Sequence, residues 1–173
     1  MSQVFKYIET HQSLTRTVVC YLVKGNKVTG GLRKKVSLGL GKNLFSGIGG
    51  KVGDIPGLEN ETYEEALARE VKEEVGVKIK EYKQFGEVIF IFPYKEKWSQ
   101  TVVAYIVTDW EGELVETESI KPVTYEIDKL PVSQMWDDSK YWVPLMLEGK
   151  KLNAKFIYSD DNKTVAEKEI YIL

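Results

Sequence analysis

Apolar positions recur along this chain in two rhythms, and the rhythm changes where the secondary structure should change. Thr17–Val23 carries a compact apolar run and predicts a strand; Gly25-Asn26 then supplies a turn, and Lys27–Leu32 predicts the returning strand. From Arg33 to Asn43 the apolar period fails and lysines mix with Gly39 and Gly41, which predicts a mobile surface loop. Phe45–Val52 is short, glycine-heavy and extended, and Gly53–Asn60, with Pro56 and Gly57, predicts a loop. The spacing then shifts to a helical one. Ala66, Leu67, Val71 and Val75 form one stripe, Thr62 stands as N-cap with Glu65 three residues on as a capping box, and Gly76 closes the helix Thr62–Val75. Val77–Phe92, bent near Gly86, Gln100–Thr108 and Pro122–Ile127 predict further strands. Asp138–Leu147 predicts a second helix that ends before Gly149, and Lys151–Tyr158 and Thr164–Ile172 predict a hairpin across Asp160–Asn162. No internal repeat or low-complexity segment interrupts this order. Strands outnumber helices, so the expected class is α/β (α+β): a mixed sheet with helices on its faces.

Composition narrows the partners more than the fold. A chain of 173 residues with 43% hydrophobic and 29% charged residues is expected to form one soluble domain spanning residues 1–173. Its net charge of −2 excludes a broad basic surface, so no nucleic-acid partner is expected and an anionic ligand must be held by metal ions or a few placed cations. Cys20 is the only cysteine, so no internal disulfide forms; lying within Val18–Val23, it reads as a buried small hydrophobe. Met1 to Gln12 has no apolar core of signal-peptide length, and Val18–Val23 is too short to cross a membrane. The expectation is a cytoplasmic protein without membrane contact. His11 is the only histidine, so no histidine metal cluster forms.

The candidate chemistry lies on the first helix. Glu70, Glu73 and Glu74 stand at i, i+3 and i+4, which puts three carboxylates on one helical face. Like charges so spaced cost about 0.2–0.5 kcal/mol per pair unless something neutralises them. Magnesium does so, as a hard ion that prefers carboxylate, water and phosphate oxygens. A solvated acidic face is the competing account, and three glutamates alone favour it. The surrounding pattern decides otherwise. Glu61, seven intervening residues, Arg69-Glu70, apolar Val71, Lys72, Glu73-Glu74, Val75, Gly76 and apolar Val77 resemble the signature of the Nudix hydrolase superfamily at every one of these positions. The family glycine that normally stands six residues before the first glutamate is replaced by Ile55; Gly50 is its equivalent, displaced by about five extra loop residues, an insertion of small entropic cost.

What the resemblance implies is an α/β/α sandwich around a mixed, strongly curved sheet, and a metal-assisted attack of water on a phosphorus of a nucleoside diphosphate derivative. It implies Mg2+ as cofactor, with Mn2+ able to serve. It gives Glu70, Glu73 and Glu74 as catalytic metal ligands, any of which could be the general base. The backbone carbonyl of Gly49 or Gly50 completes the coordination, and Glu61, Arg69 and Gly76 brace the loop and helix. A further family glutamate comes from a later loop; ungapped alignment from Met135-Trp136 puts Ser119 there, with Glu118 adjacent as a substitute ligand, though an ordinary exposed acidic residue is the alternative.

The likeness extends beyond the signature. Phe45-Ser46-Gly47-Ile48-Gly49-Gly50-Lys51-Val52, Leu130–Asp138 and Tyr141-Trp142-Val143-Pro144-Leu145 look like the eukaryotic MutT-like branch, which hydrolyses oxidised purine nucleoside triphosphates such as 8-oxo-dGTP to the monophosphate and pyrophosphate. By that likeness Trp136 stacks on the base and an aspartate reads the purine edge: Asp138 without a gap, followed by Ser139, or Asp137 with Asp138 after a shift of one. Phe45, Ser46, Lys51, Phe90 and Phe92 fall at pocket positions. The phenylalanines also suit an ordinary core, and the aspartates also suit helix N-capping. Ser46 departs from the branch, which carries a purine-reading asparagine there; a hydroxyl cannot replace an amide's donor and acceptor, and this puts the exact base in doubt. Arg33, Lys34 and Lys35 would approach the phosphates or form a solvated basic loop. Pro93 and Tyr94 lie near markers of ADP-ribose or dinucleoside polyphosphate hydrolases, and RNA 5′-end hydrolysis or a non-catalytic nucleotide-binding module are the remaining alternatives. The expected partner is a small-molecule nucleotide, bound by a monomer or homodimer.

Overall fold

The computed structural model describes residues 14–34 and 43–173; His11, Lys35 and most of the loop expected after Arg33 lie outside them. Among the described residues nine strands and two α-helices follow in the order β1 (Thr15–Lys24), β2 (Lys27–Arg33), β3 (Phe45–Ser46), β4 (Ile48–Lys51), α1 (Tyr63–Val75), β5 (Lys78–Ile91), β6 (Gln100–Glu111), β7 (Ile120–Glu126), α2 (Ser139–Leu147), β8 (Leu152–Tyr158) and β9 (Val165–Ile172). All nine strands join one mixed, unclosed sheet with the path β3-β2-β1-β6-β5-β8-β9, to which β4 adds on β1 and β7 on β2.

β1 is the hub. On one edge it runs parallel to β6, Thr17 beside Val102; on the other its first half pairs with β4, Val19 opposite Gly49, and its last residues pair with β2. Strand alternation sends its side chains to two different cores. Val18, Cys20 and Leu22, with Val103, Tyr105 and Val107 of β6, meet the buried stripe Ala66, Leu67, Val71 and Val75 of α1. Tyr21, with Val102, Ala104 and Ile106 of β6, meets Trp142, Val143 and Met146 of α2 on the opposite face. Central strands that bury both faces read as near-continuous apolar runs for this reason, and the result is an α/β/α sandwich. Cys20 is fully buried, and its thiol is pushed far above the ordinary range by desolvation, so it serves as packing.

Several expected boundaries shift. Arg33 is the last residue of β2 rather than a loop residue: its N–H donates to Leu44 O, and its own carbonyl accepts from Asn43. The bend in β5 comes with register shifts against β6 between Ile79 and Tyr82 and again at Gln84/Gly86. Ile127 opens a single 3₁₀ turn after β7.

Helix α1 begins as its sequence dictates. The Thr62 hydroxyl accepts from Glu65 N at 3.1 Å and the Glu65 carboxylate accepts from Thr62 N at 2.9 Å, while Gly76 ends the helix at φ 79°. Thr62→Ala removes one arm of this reciprocal cap, and a loss of about 1 kcal/mol in urea unfolding is expected.

Candidate active site

A cleft of about 450 Å³ opens beside β4 and the Glu70–Glu74 face of α1, within the usual range for a small-molecule site. Two kinds of wall meet in it. Arg33, Ser46, Gly49, Gly50, Lys51, Glu70 and Glu74 form a polar wall; Phe90, Phe92, Trp136, Trp142 and Tyr158 form an aromatic one, with Asp138 among them.

Rigid elements hold the polar wall. Glu61, 7% exposed, is forked by Arg69, with Nε to Oε1 at 2.6 Å and Nη2 to Oε2 at 3.0 Å, and it also accepts from Gly53 N at 3.1 Å. The Arg69 hydrogen bond holds the Glu61 carboxyl below its ordinary range, and Arg69 is correspondingly raised. Arg69 also donates through Nη2 to Lys51 O at 3.0 Å and through Nη1 to Glu70 at 2.9 Å. One guanidinium therefore ties the loop before α1 and strand β4 to the helix carboxylates. Such a bidentate, largely buried pair is held by geometry a lysine could not reproduce.

Glu70 and Glu74 both face the cleft. Glu74 accepts from Gly49 N at 3.2 Å and lies 3.8 Å from Arg33 Nη1. Burial pushes its carboxyl up to about 7, opposed by Arg33 and reinforced by Glu70. Glu70 is raised as well, first by burial, with Arg69 opposing. Glu73 does not join them: its side chain is 54% exposed, turned toward Arg69 Nη1 at 3.4 Å. Helix geometry allows the divergence, since at about 100° per residue Glu74 falls about 40° to one side of Glu70 and Glu73 about 60° to the other. Among the described residues no three His, Cys, Asp or Glu side chains are gathered into a ready-made metal site. The donor set nevertheless suits a hard divalent ion: two half-buried carboxylates of raised affinity for positive charge share the wall with glycine backbone. Gly50 is the cradle, because a Cβ there would lie 2.3 Å from Glu70 Oε1.

The aromatic wall is a box of rings. Phe92 stacks on Tyr158 with centroids 4.4 Å apart, and Trp136 stands edge-on to both, at 5.9 Å from Phe92 and 5.8 Å from Tyr158. Asp138 is 4% exposed and lines the cleft; Trp142 Nε1 donates to its Oδ2 at 2.7 Å and the Tyr158 hydroxyl donates to its Oδ1. Burial pushes its carboxyl up to about 6, the two donors opposing. It occupies the N-cap position of α2 but makes no capping hydrogen bond, because its oxygens are spent on these two rings.

Other expected residues lie elsewhere. Asp137 is outside the cleft, its carboxylate held by Lys140 Nζ at 2.8 Å and Val165 N at 2.9 Å. Phe45 is fully buried against Tyr125 and Tyr21, and the strand alternation that takes it into the core turns Ser46 to the cleft. Ser46 is already engaged: its Oγ accepts from Arg33 Nε at 3.1 Å and donates to Gly47 O at 3.2 Å. Glu118 is exposed and off the cleft lining, although its neighbour Thr117 donates to Glu74 O at 3.1 Å. Thr17, Gln100 and Tyr158 line the cleft without having been singled out from sequence. Tyr158 was legible in principle, since Leu152, Ala154, Phe156 and Tyr158 alternate toward the same core face of β8.

Comparison with known proteins agrees with this arrangement. The chain is 33% identical over 159 residues to an oxidized purine nucleoside triphosphate hydrolase of Danio rerio, covering 92% of this chain and 94% of that one. It is 28% identical over 141 residues to the protein of that name from Mus musculus, covering 82% and 85%. Its fold is similar to a crystal structure of a MutT protein from Bacillus halodurans, with a TM-score of 0.72 at 19% identity over 91% of this chain and 97% of that one. The NUDIX domain pattern matches residues 14–146, and with the glutamate helix and glycine strand in place the chain belongs to the Nudix family, as a Nudix hydrolase.

Proposed function

We propose that this Nudix hydrolase cleaves oxidised purine nucleoside triphosphates to the monophosphate and pyrophosphate, using Mg2+, with Mn2+ able to replace it. The observation that carries the reading is the meeting in one cleft of the Glu70–Glu74 wall with the Trp136–Phe92–Tyr158 box and buried Asp138. The two relatives that cover most of the chain and are named for this activity support it. Pro93 and Tyr94 do not line the cleft, and Tyr94 is 67% exposed, so the residues that suggested ADP-ribose or dinucleoside polyphosphate gain no support.

In this reading Glu70 and Glu74, with the carbonyl of Gly49 or Gly50, hold the divalent ion, and Glu73 and Glu118 are the outer acidic residues available to it. The ion supplies charge neutralisation of the phosphates and lowers the pKa of water. The chain's own groups do the rest. Arg69 and Glu61 fix the helix against β4, so the two carboxylates keep their spacing. Arg33, held by Ser46, presents a guanidinium to the phosphate side, and Lys51 borders it. Phosphoryl chemistry needs this positioning and charge balance more than covalent help. Trp136 offers a ring face to the base. Asp138 accepts from its edge, while Asp137 stays on the outer surface with Lys140.

The test is a panel of oxidised and ordinary dNTPs and NTPs, ADP-ribose and capped dinucleotides with Mg2+, products resolved chromatographically. Oxidised purine triphosphates turning over fastest to monophosphate and pyrophosphate is the expected result; no turnover of any nucleotide would sink the reading. Trp136→Ala should raise KM about 5- to 150-fold, the span of ~1–3 kcal/mol for one base–aromatic stack, with Tm checked in parallel. An unchanged KM places the base elsewhere.

A further inference from the structure

Asp138 is the one cleft carboxyl whose two oxygens are both met by side-chain donors that cannot be traded for acceptors. The indole N–H of Trp142 donates and has no acceptor, so Oδ2 must accept. A phenol could in principle turn its proton away, but here the Tyr158 oxygen already receives the Asp138 backbone N–H at 3.4 Å, which leaves its own proton directed at Oδ1. The ring that carries this hydroxyl is pinned by its stack on Phe92 and its edge contact with Trp136. Among the described residues no ion pair reaches the carboxylate: the neighbouring charged group, Asp137, faces Lys140 and β9, and Tyr21 on β1 is a buried phenol held far above its ordinary range. Burial favours a neutral Asp138, and these two donors, with a lesser backbone hydrogen bond, oppose it and keep it an acceptor.

We propose that Tyr158, with Trp142, is a specificity-positioning residue that fixes Asp138 as a two-oxygen acceptor, so that the pocket selects a purine presenting two adjacent N–H donors. Guanine and 8-oxoguanine offer that edge, N1–H beside N2–H₂. An adenine edge sets one N–H beside a ring-nitrogen lone pair, which a carboxylate repels and a neutral carboxyl would accommodate. The inference rests on the purine reading above. It adds that the discrimination between the two edges is made by a phenol that need not touch the ligand's reacting atoms.

The experiment compares equilibrium binding of 8-oxo-dGMP and 8-oxo-dAMP by calorimetry, two ligands that share the oxidised five-membered ring and differ in the six-membered edge. Wild type is expected to favour 8-oxo-dGMP. Tyr158→Phe keeps the ring and its stack but removes the donor, and the preference should fall about tenfold, the scale of a hydrogen bond to a charged group. Trp142→Phe removes the other donor and should move the ratio the same way, which decides the matter should the first variant not fold. A merely structural role weakens both ligands together, so an unchanged ratio in these variants overturns the inference while leaving the hydrolase reading intact. A wild-type preference for 8-oxo-dAMP overturns it too. Wild type binding neither ligand overturns the purine reading and the inference with it.

Discussion

Glu74→Gln should lower kcat by about 10²–10³-fold without lowering Tm. The loss follows from removing one of the two cleft carboxylates that would hold the ion, and electrostatic groups aimed at a developing charge in a water-poor site are commonly worth that much. The retained stability follows from the same residue. Its carboxyl is raised to about 7 chiefly by burial, so its ionised form is a cost to the folded chain rather than a support. An amide of the same shape removes the charge and keeps an oxygen for Gly49 N at the 3.2 Å contact. Steady-state kinetics with Mg2+ and differential scanning calorimetry read the two halves separately. A wild-type rate would remove Glu74 from the metal site; a lowered Tm would mean that its charge supports the fold.

The second large effect separates two adjacent glycines. Gly49 sits opposite Val19 in the β1–β4 pairing, and a Cβ there would lie 1.9 Å from the carbonyl oxygen of Val18. Backbone cannot step aside, so Gly49→Ala must pull β4 off β1, at a cost of about 3 kcal/mol or more. The Cβ of Gly50→Ala meets instead the end of a flexible side chain, Glu70 Oε1, at 2.3 Å. Glu70 can swing away at small cost to the fold, but then leaves the wall it shares with Glu74. Gly49→Ala should therefore be lost to unfolding, and Gly50→Ala should melt near wild type with little activity. Equal melting temperatures for the two variants would contradict this division.

These contrasts mark what the sequence discloses. Helix α1 could be read almost to the residue, because a capping box, an apolar stripe and a terminal glycine are all local signals. The two-faced burial of β1 was visible as an unbroken apolar run. Its partners were not, since nothing local distinguishes a strand that pairs with its neighbour from one that runs parallel to β6. Within the site, spacing alone put Glu70, Glu73 and Glu74 on one face, but a face is broad, and Glu73, about 100° around the helix from Glu74, is left on the solvent side. Asp138 aligned without a gap while Asp137 needed a shift of one, and spacing went no further; the start of α2 turns Asp137 outward to Lys140 and buries Asp138 between Trp142 and Tyr158. The alternation of β8 marks Tyr158 as inward-facing, but only tertiary packing brings it to Trp136.

The parallel seam between β1 and β6 also dictates when this protein can assemble. Thr17 finds its place beside Val102, so β1 leaves the ribosome well before its parallel partner is made. At about 5–20 residues per second that interval is on the order of ten seconds. Through it, Val18, Val19, Cys20, Tyr21 and Leu22 have no parallel neighbour, and one side of the nascent β1 offers unpaired backbone to any strand that meets it. Non-local closure of this kind also slows refolding toward the millisecond-to-second range. A β1 that cannot complete its pairing until β6 has been made is the segment at which this chain is most open to misassembly during synthesis.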